Sequence, residues 1–134
     1  MEIFVDFPGG ARVDAHFDGF TVKTDQPPQS GGDGSAPPPF SVFMASLGAC
    51  AGIYVLRFCQ QRGLPTEGIQ IVQRMQKRAE GKGLMEKVEL DILVPPSFPE
   101  KYHSALVRSA DQCLVKRQFV EPPEFDIHIQ VVDT

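Results

Sequence analysis

Apolar and polar residues alternate from the second residue onward. EIFVDF (2–7) and ARVDAHF (11–17) both show the period of two that a half-buried strand requires. Gly9-Gly10 and Asp18-Gly19 interrupt the alternation with turn chemistry, and FTVKTD (20–25) resumes it. The first 25 residues therefore predict three short antiparallel strands. QPPQSGGDGSAPPP then forms a Pro-, Gly- and Ser-rich connection. Loops of about a dozen residues with no structure of their own are often functional.

From Pro39 the pattern becomes continuously apolar, which predicts a long helix entered through proline and stopped at Gly63, with Pro65 just beyond. No charge falls between Phe40 and Leu56, so every face of this helix is apolar and it is expected to be enclosed by protein. The run is nearly long enough to cross a bilayer. Ser, Gly and Cys through its centre, and its single occurrence in a strand-rich chain, favour a core helix over a membrane span. GIQIVQRMQKRAE next predicts a long strand with Ile69, Ile71, polar Gln73 and Met75 on one side, and LMEKVELDILV returns beside it after the glycines at 81 and 83. Ser97 suits an N-cap, and Pro99-Glu100 opens a second helix with an acidic first turn. Tyr102, Leu106, Ala110 and Cys113 recur on the inward face of that helix. EFDIHIQVVD closes the chain as a predicted strand, with Phe125, Ile127, Ile129 and Val131 on one face and His128 toward solvent.

Antiparallel strands beside segregated helices predict an α+β fold in a single domain over residues 1–134. One curved sheet could hardly cover all faces of so apolar a helix, so a second subunit is expected, giving an intertwined homodimer. A net charge of −4 and the lack of any lysine or arginine run exclude a basic nucleic-acid surface. MEIFVDFPGG has no positive start before an apolar core, so no signal peptide and a cytoplasmic location are expected. An odd count of 3 cysteines fits a reducing compartment better than a disulfide scaffold.

Those cysteines are the candidate chemistry. Cys50 and Cys59 lie on one helix, nine residues apart on opposite faces with about 13 Å of rise between them, and cannot bond to each other. Cys59 reads as packing. Cys113 could approach Cys50 only through tertiary structure. No metal site is expected, because CxxC spacing is absent and His16, His103 and His128 sit apart. No phosphate-binding glycine motif or catalytic carboxylate pair occurs. Cys50 is mid-helix, so its own helix dipole offers little and a thiolate there is expected to need a cation. Arg57, two turns on and roughly 10 Å along the axis, is one candidate, and Arg12 on the N-terminal strands is the other.

The order of elements, with PPPFSVFMASLGAC and the later ADQCLVKRQF, resembles the OsmC/Ohr family of thiol proteins over essentially the whole chain. The resemblance implies an intimate dimer with exchanged N-terminal strands and two sites at the interface. It also implies hydroperoxide reduction by two cysteines, here Cys50 and Cys113, aided by an arginine best matched by Arg12. Two positions depart from the pattern. The glutamate ten residues before the first cysteine is Phe40, and the proline after the second is Leu114. With these departures the chain resembles the less characterised OsmC-like branch more than the Ohr branch, and the first implies an arginine without its usual partner. A Cys50 so placed is expected near the ordinary thiol value of about 8.5.

A thiol-dependent peroxidase is the leading expectation. It would need no cofactor and no metal, and would use a hydroperoxide and an external dithiol. Phe40, Phe43 and Tyr54 would form an apolar entrance suited to organic peroxides. Two alternatives remain open from the residues: a non-catalytic or redox-sensing module for a small apolar ligand, and a hotdog-type acyl thioesterase. Neither a nucleic acid nor a membrane is an expected partner.

Overall fold

Asp18 and Gly19 both take positive φ, 50° and 79°, with Phe17 paired opposite Phe20. Two such residues give the mirror-image turn whose twist matches a β-hairpin, and Asp-Gly is suited to it. In the computed structural model, which describes residues 1–133, this turn joins the second and third strands of the N-terminal sheet. Strands β1 (Phe4–Gly9), β2 (Arg12–Phe17) and β3 (Phe20–Thr24) lie in that order, all antiparallel, as the alternation predicts. Phe4, Val5, Phe7 and Phe20 are left exposed on this sheet.

The Pro- and Gly-rich connection is not featureless. It folds around Asp25, which is only 1% exposed. The Asp25 carboxylate accepts N–H bonds from Gln26 (2.7 Å), Asp33 (3.3 Å) and Ser35 (3.0 Å), and the Ser35 hydroxyl at 2.5 Å. The Ser35 hydroxyl, followed by the N–H groups of Ser35 and Gln26, holds the carboxyl down at about 2 against the opposing effect of burial. Gly32 is required here for space. A Cβ at that position would lie 2.0 Å from the Gln26 carbonyl oxygen.

The chain forms two compact units, Met1–Ser46 and from Leu47 onward, and helix α1 (Pro39–Gln61) runs from the first into the second. In the second unit, β4 (Gln70–Lys77) and β5 (Met85–Leu93) pair antiparallel, with Ile71 opposite Ile92 and Gln73 opposite Leu90. Val55, Phe58, Cys59, Phe98 and Leu106 form the core, with Ile69, Ile71, Ile92 and Tyr102 packed against it. Glycines let α1 approach β4. A Cβ on Gly52 would touch Ile71 at 3.9 Å, and one on Gly48 would lie 2.5 Å from the Gln73 amide oxygen. Polar Gln73 on the apolar side of β4 therefore rests against helix backbone. At the end of α1, Arg62 stacks on Phe58 with 3.6 Å from the guanidinium carbon to the ring centroid. It also donates to the Phe58 carbonyl at 3.2 Å, supplying a cation where the helix leaves carbonyls unpaired.

Two expectations are corrected. The second helix is divided into a 3-10 turn at Glu100–Tyr102, α2 (His103–Ala110) and α3 (Leu114–Val120), so Cys113 lies at a helix start and not on a helix face. As expected of a helix that one sheet could hardly cover, α1 is not enclosed within this chain: Ile53 and Leu56 are 38% and 36% exposed. Residues 122–133 carry no regular secondary structure and pair with no strand, so the final strand does not form here. Phe125, Ile127, Ile129 and Val131 are 82–95% exposed, and the polar residues between them are exposed as well. An alternating segment becomes a strand only against an edge that accepts its backbone, and within the described residues β5 pairs with β4 alone.

Candidate functional site

The division after Ala110 builds the site. Tyr102, Leu106 and Ala110 face inward as their spacing predicts, but the chain then turns through Asp111 and Gln112. Cys113 leaves the helical region at φ −46° and ψ 123°, and α3 starts at Leu114. The first N–H groups of a helix have no carbonyl partner within it and are free to donate elsewhere. In this chain they meet a sulfur.

Cys50, half-buried on α1, receives those donors. Burial alone would raise its pKa, but the Val115 N–H, the Cys113 thiol and the Leu114 N–H together bring it below the ordinary cysteine value. Cys113 moves the opposite way. It is 1% exposed, and burial raises it, as do its hydrogen bond to Cys50 and the Cys50 charge; the Lys116 and Val115 N–H groups only partly compensate. Its sulfur also lies 3.7 Å from the Leu47 carbonyl oxygen. One sulfur is thus suited to be a thiolate and its neighbour to remain a thiol that donates to it. Two of the groups that lower the Cys50 pKa are backbone N–H groups at the start of a separate helix, and no cation is among them. The expectation that Cys50 would need a cation and sit near an ordinary thiol value is corrected on that ground.

Cys59 is 0% exposed within the core, and its pKa is raised by burial with only a weaker opposing effect from Arg62. That agrees with a packing role. Arg57 is exposed on α1 and does not figure among the groups that shift Cys50. Tyr54 is half-buried, and its carbonyl accepts the Ser109 hydroxyl at 3.3 Å, tying α1 to α2.

The other candidates belong to the first unit. Arg12 opens β2, and its guanidinium pairs with the Asp33 carboxylate at 3.4 Å. Asp33 lies on the loop that Asp25 organises, so Arg12 has a carboxylate partner although position 40 is phenylalanine. Phe40 and Phe43, 48% and 41% exposed, pack ring to ring with centroids 6.3 Å apart. On the N-terminal sheet, ligating atoms of Asp6, Asp14 and His16 come within 4.8 Å of one another. Both His16 ring nitrogens are engaged, with Thr21 (2.9 Å) and Asp6 (3.2 Å), and the group serves as a cross-strand polar network.

Sequence reasoning did not find the backbone donors at Leu114 and Val115, nor Asp33. One signal for the former was present. A further step of the inward period from Cys113 reaches Lys116 or Arg117, so a continuous helix would have turned charge toward the core.

Comparison with known proteins agrees with this architecture. The chain belongs to the OsmC-like protein family, whose model matches residues 32–128. Among solved structures it is similar to a Psychrobacter arcticus protein provisionally described as an osmotic stress induced and detoxification response protein. That pair shows a TM-score of 0.69 and 19% identity over 87% of this chain and 85% of the other. An OsmC-like protein of unknown function from Vibrio cholerae gives 0.64 and 15% identity, covering 87% of this chain and 91% of its own. The organic hydroperoxide resistance protein OsmC of Legionella pneumophila gives 0.57 and 18% identity over 89% of each chain. At these identities the likeness is one of fold. No curated protein matches the sequence.

Proposed function

We propose that the protein is a thiol-dependent peroxidase acting on organic hydroperoxides. The observation that carries this reading is the Cys50–Cys113 contact, with backbone N–H groups lowering the first sulfur's pKa and burial raising the second's. Family membership supports it, since the family includes a protein described as an organic hydroperoxide resistance protein.

The Cys50 thiolate attacks the distal peroxide oxygen, the O–O bond breaks, and the leaving alkoxide takes a proton to become an alcohol. Cys50 is left as a sulfenic acid. Cys113, already in contact, attacks the Cys50 sulfur; its proton and the sulfenic hydroxyl leave as water, and a disulfide forms. An external dithiol then restores both thiols. Arg12, held by Asp33, is proposed to stabilise charge on the peroxide, and Phe40, Phe43 and Tyr54 to form the apolar entrance. The working unit is proposed to be a cytoplasmic homodimer. That assembly would cover Ile53, Leu56 and the alternating face of 125–131, which this chain leaves exposed.

The test is consumption of an alkyl hydroperoxide with added dithiol. The wild type is expected to turn over, Cys50→Ser to be inactive, and Cys113→Ser to complete only the first oxidation. Turnover that persists in Cys50→Ser would refute the proposal, and cleavage of an acyl thioester by that variant would favour a thioesterase instead.

A further inference from the structure

Asp25 stands where β3 gives way to the loop that leads to α1, and it closes that loop with both its backbone and its side chain. Its N–H donates to the Pro37 carbonyl at 3.3 Å, joining the two ends of the connection. The Gln26 carbonyl accepts the Gly34 N–H at 3.0 Å alongside. One residue earlier, the Thr24 hydroxyl donates to the Val13 carbonyl at 2.6 Å, fastening this end of the loop to the strand that carries Arg12. Asp25 Oδ2 accepts the N–H groups of Asp33 and Ser35 and the Ser35 hydroxyl, and no cation is among the groups that stabilise its charge. Burying a carboxylate without donors is costly, so Asp25 and the segment 33–35 hold each other in place.

That closure fixes Asp33. Its N–H is bound to Asp25 at 3.3 Å, while its carboxylate reaches the β1–β2 turn. There Asp33 Oδ2 lies 3.4 Å from Arg12 Nη2 and would lie 4.0 Å from a Cβ on Gly10. The Arg12 and Asp33 side chains are 47% and 71% exposed, and an ion pair so exposed does little by itself to hold two side chains in one geometry. The order of this pair therefore comes from the loop behind Asp33 more than from charge.

We propose that Asp25 is a positioning residue for the oxidation step: by locking Asp33 against the β1–β2 turn, it holds the Arg12 guanidinium in the pose that stabilises charge on the peroxide. The inference rests on the preceding reading, in that it takes Arg12 to act on the peroxide. Asp25 makes and breaks no bond itself and acts only through Asp33 and Arg12. Preorganised charge accelerates a reaction because it need not reorganise as the transition state forms, and losing one such donor costs about 10²–10³ in rate. An Arg12 freed from Asp33 keeps its charge and loses its orientation, so a smaller loss, about tenfold, is expected.

Asp25→Asn is close to isosteric, but in either orientation its NH2 group meets a backbone N–H that it cannot accept. Two single-turnover rates are measured at Cys50 in the same preparation: oxidation by an alkyl hydroperoxide, and alkylation by iodoacetamide, which places no charge for Arg12 to stabilise. Asp25→Asn is expected to slow oxidation about tenfold while alkylation is unchanged. Ser35→Ala removes a single donor to Asp25 and is expected to give a partial loss of the same kind, which keeps the test available should Asp25→Asn not fold. Added to Arg12→Ala, either substitution is expected to slow oxidation no further, whereas a merely structural role predicts losses that multiply and an altered alkylation rate. Unchanged oxidation in Asp25→Asn or in Ser35→Ala, or losses that multiply with that of Arg12→Ala, overturns the proposal alone. Oxidation that Arg12→Ala leaves unaffected removes it together with the role of Arg12 on which it depends.

Discussion

Replacing Cys113 with alanine removes the thiol that donates to Cys50 and leaves the Val115 and Leu114 N–H groups in place. A hydrogen bond to a charged group contributes about 1.5–3 kcal/mol, and the half-buried setting of Cys50 with two donors remaining argues for the lower end. About 1.4 kcal/mol is a tenfold change in the thiolate-to-thiol ratio. Reactivity does not fall by that whole factor, because a more basic thiolate is a better nucleophile, with a Brønsted coefficient of about 0.4–0.5. At pH below the Cys50 pKa, Cys113→Ala should therefore oxidise roughly threefold more slowly than wild type. Above it, where both proteins are fully ionised, the variant should be roughly threefold faster. Cys113→Ser keeps a donor hydroxyl and should lie close to wild type. The assay is the single-turnover rate of Cys50 oxidation by an alkyl hydroperoxide across pH, followed by quenched mass spectrometry so that no resolving step is needed. Superimposable profiles for Cys113→Ala and wild type would refute the claim that the second cysteine tunes the first.

Asp25 sets an acid limit on the N-terminal loop. Its folded pKa of about 2 lies below the ordinary 3.8, so its contribution is complete above pH 3.8 and lost as pH falls through 2. Thermal melts of Asp25→Asn should lack that acid-dependent loss, and an unchanged acid profile would contradict the assignment. The Arg12–Asp33 pair is exposed at both ends, so Asp33→Asn should change stability by no more than about 1 kcal/mol, yet lower hydroperoxide turnover if Arg12 serves the site. Equal turnover with an unchanged melting temperature would remove Arg12 from the mechanism. Light scattering at micromolar concentration should give a dimer mass, and charged substitutions at Ile127 and Ile129 should weaken it; a monomer mass for the wild type would refute the assembly.

The N-terminal sheet, the long helix and the β4–β5 hairpin were legible because each is specified locally. Asp18-Gly19 sets its own turn, Pro39 and Gly63 bound α1, and Ile71 and Met75 keep the period of a strand. Elements that depend on a distant partner were less legible. The alternation of residues 125–131 encodes a strand's faces but not an edge to pair with, and the apolarity of α1 encodes burial without saying by what. The candidate site divided in the same way. Cys50 and Cys113 could be named from residue type and resemblance. The donors at Leu114 and Val115 could not, since a backbone N–H belongs to every residue and becomes a site only when a helix starts there. Asp33 was hidden for a related reason: its place depends on Asp25, whose partners lie up to ten residues away along an irregular loop.

The central claim is that Cys50 reacts with hydroperoxide and Cys113 resolves it. Peptide mapping after one equivalent of an alkyl hydroperoxide tests this most directly. The account predicts a Cys50–Cys113 disulfide within one chain and an unmodified Cys59. Cys50 recovered as a free thiol, in protein whose Cys50 is shown to alkylate readily, would contradict it.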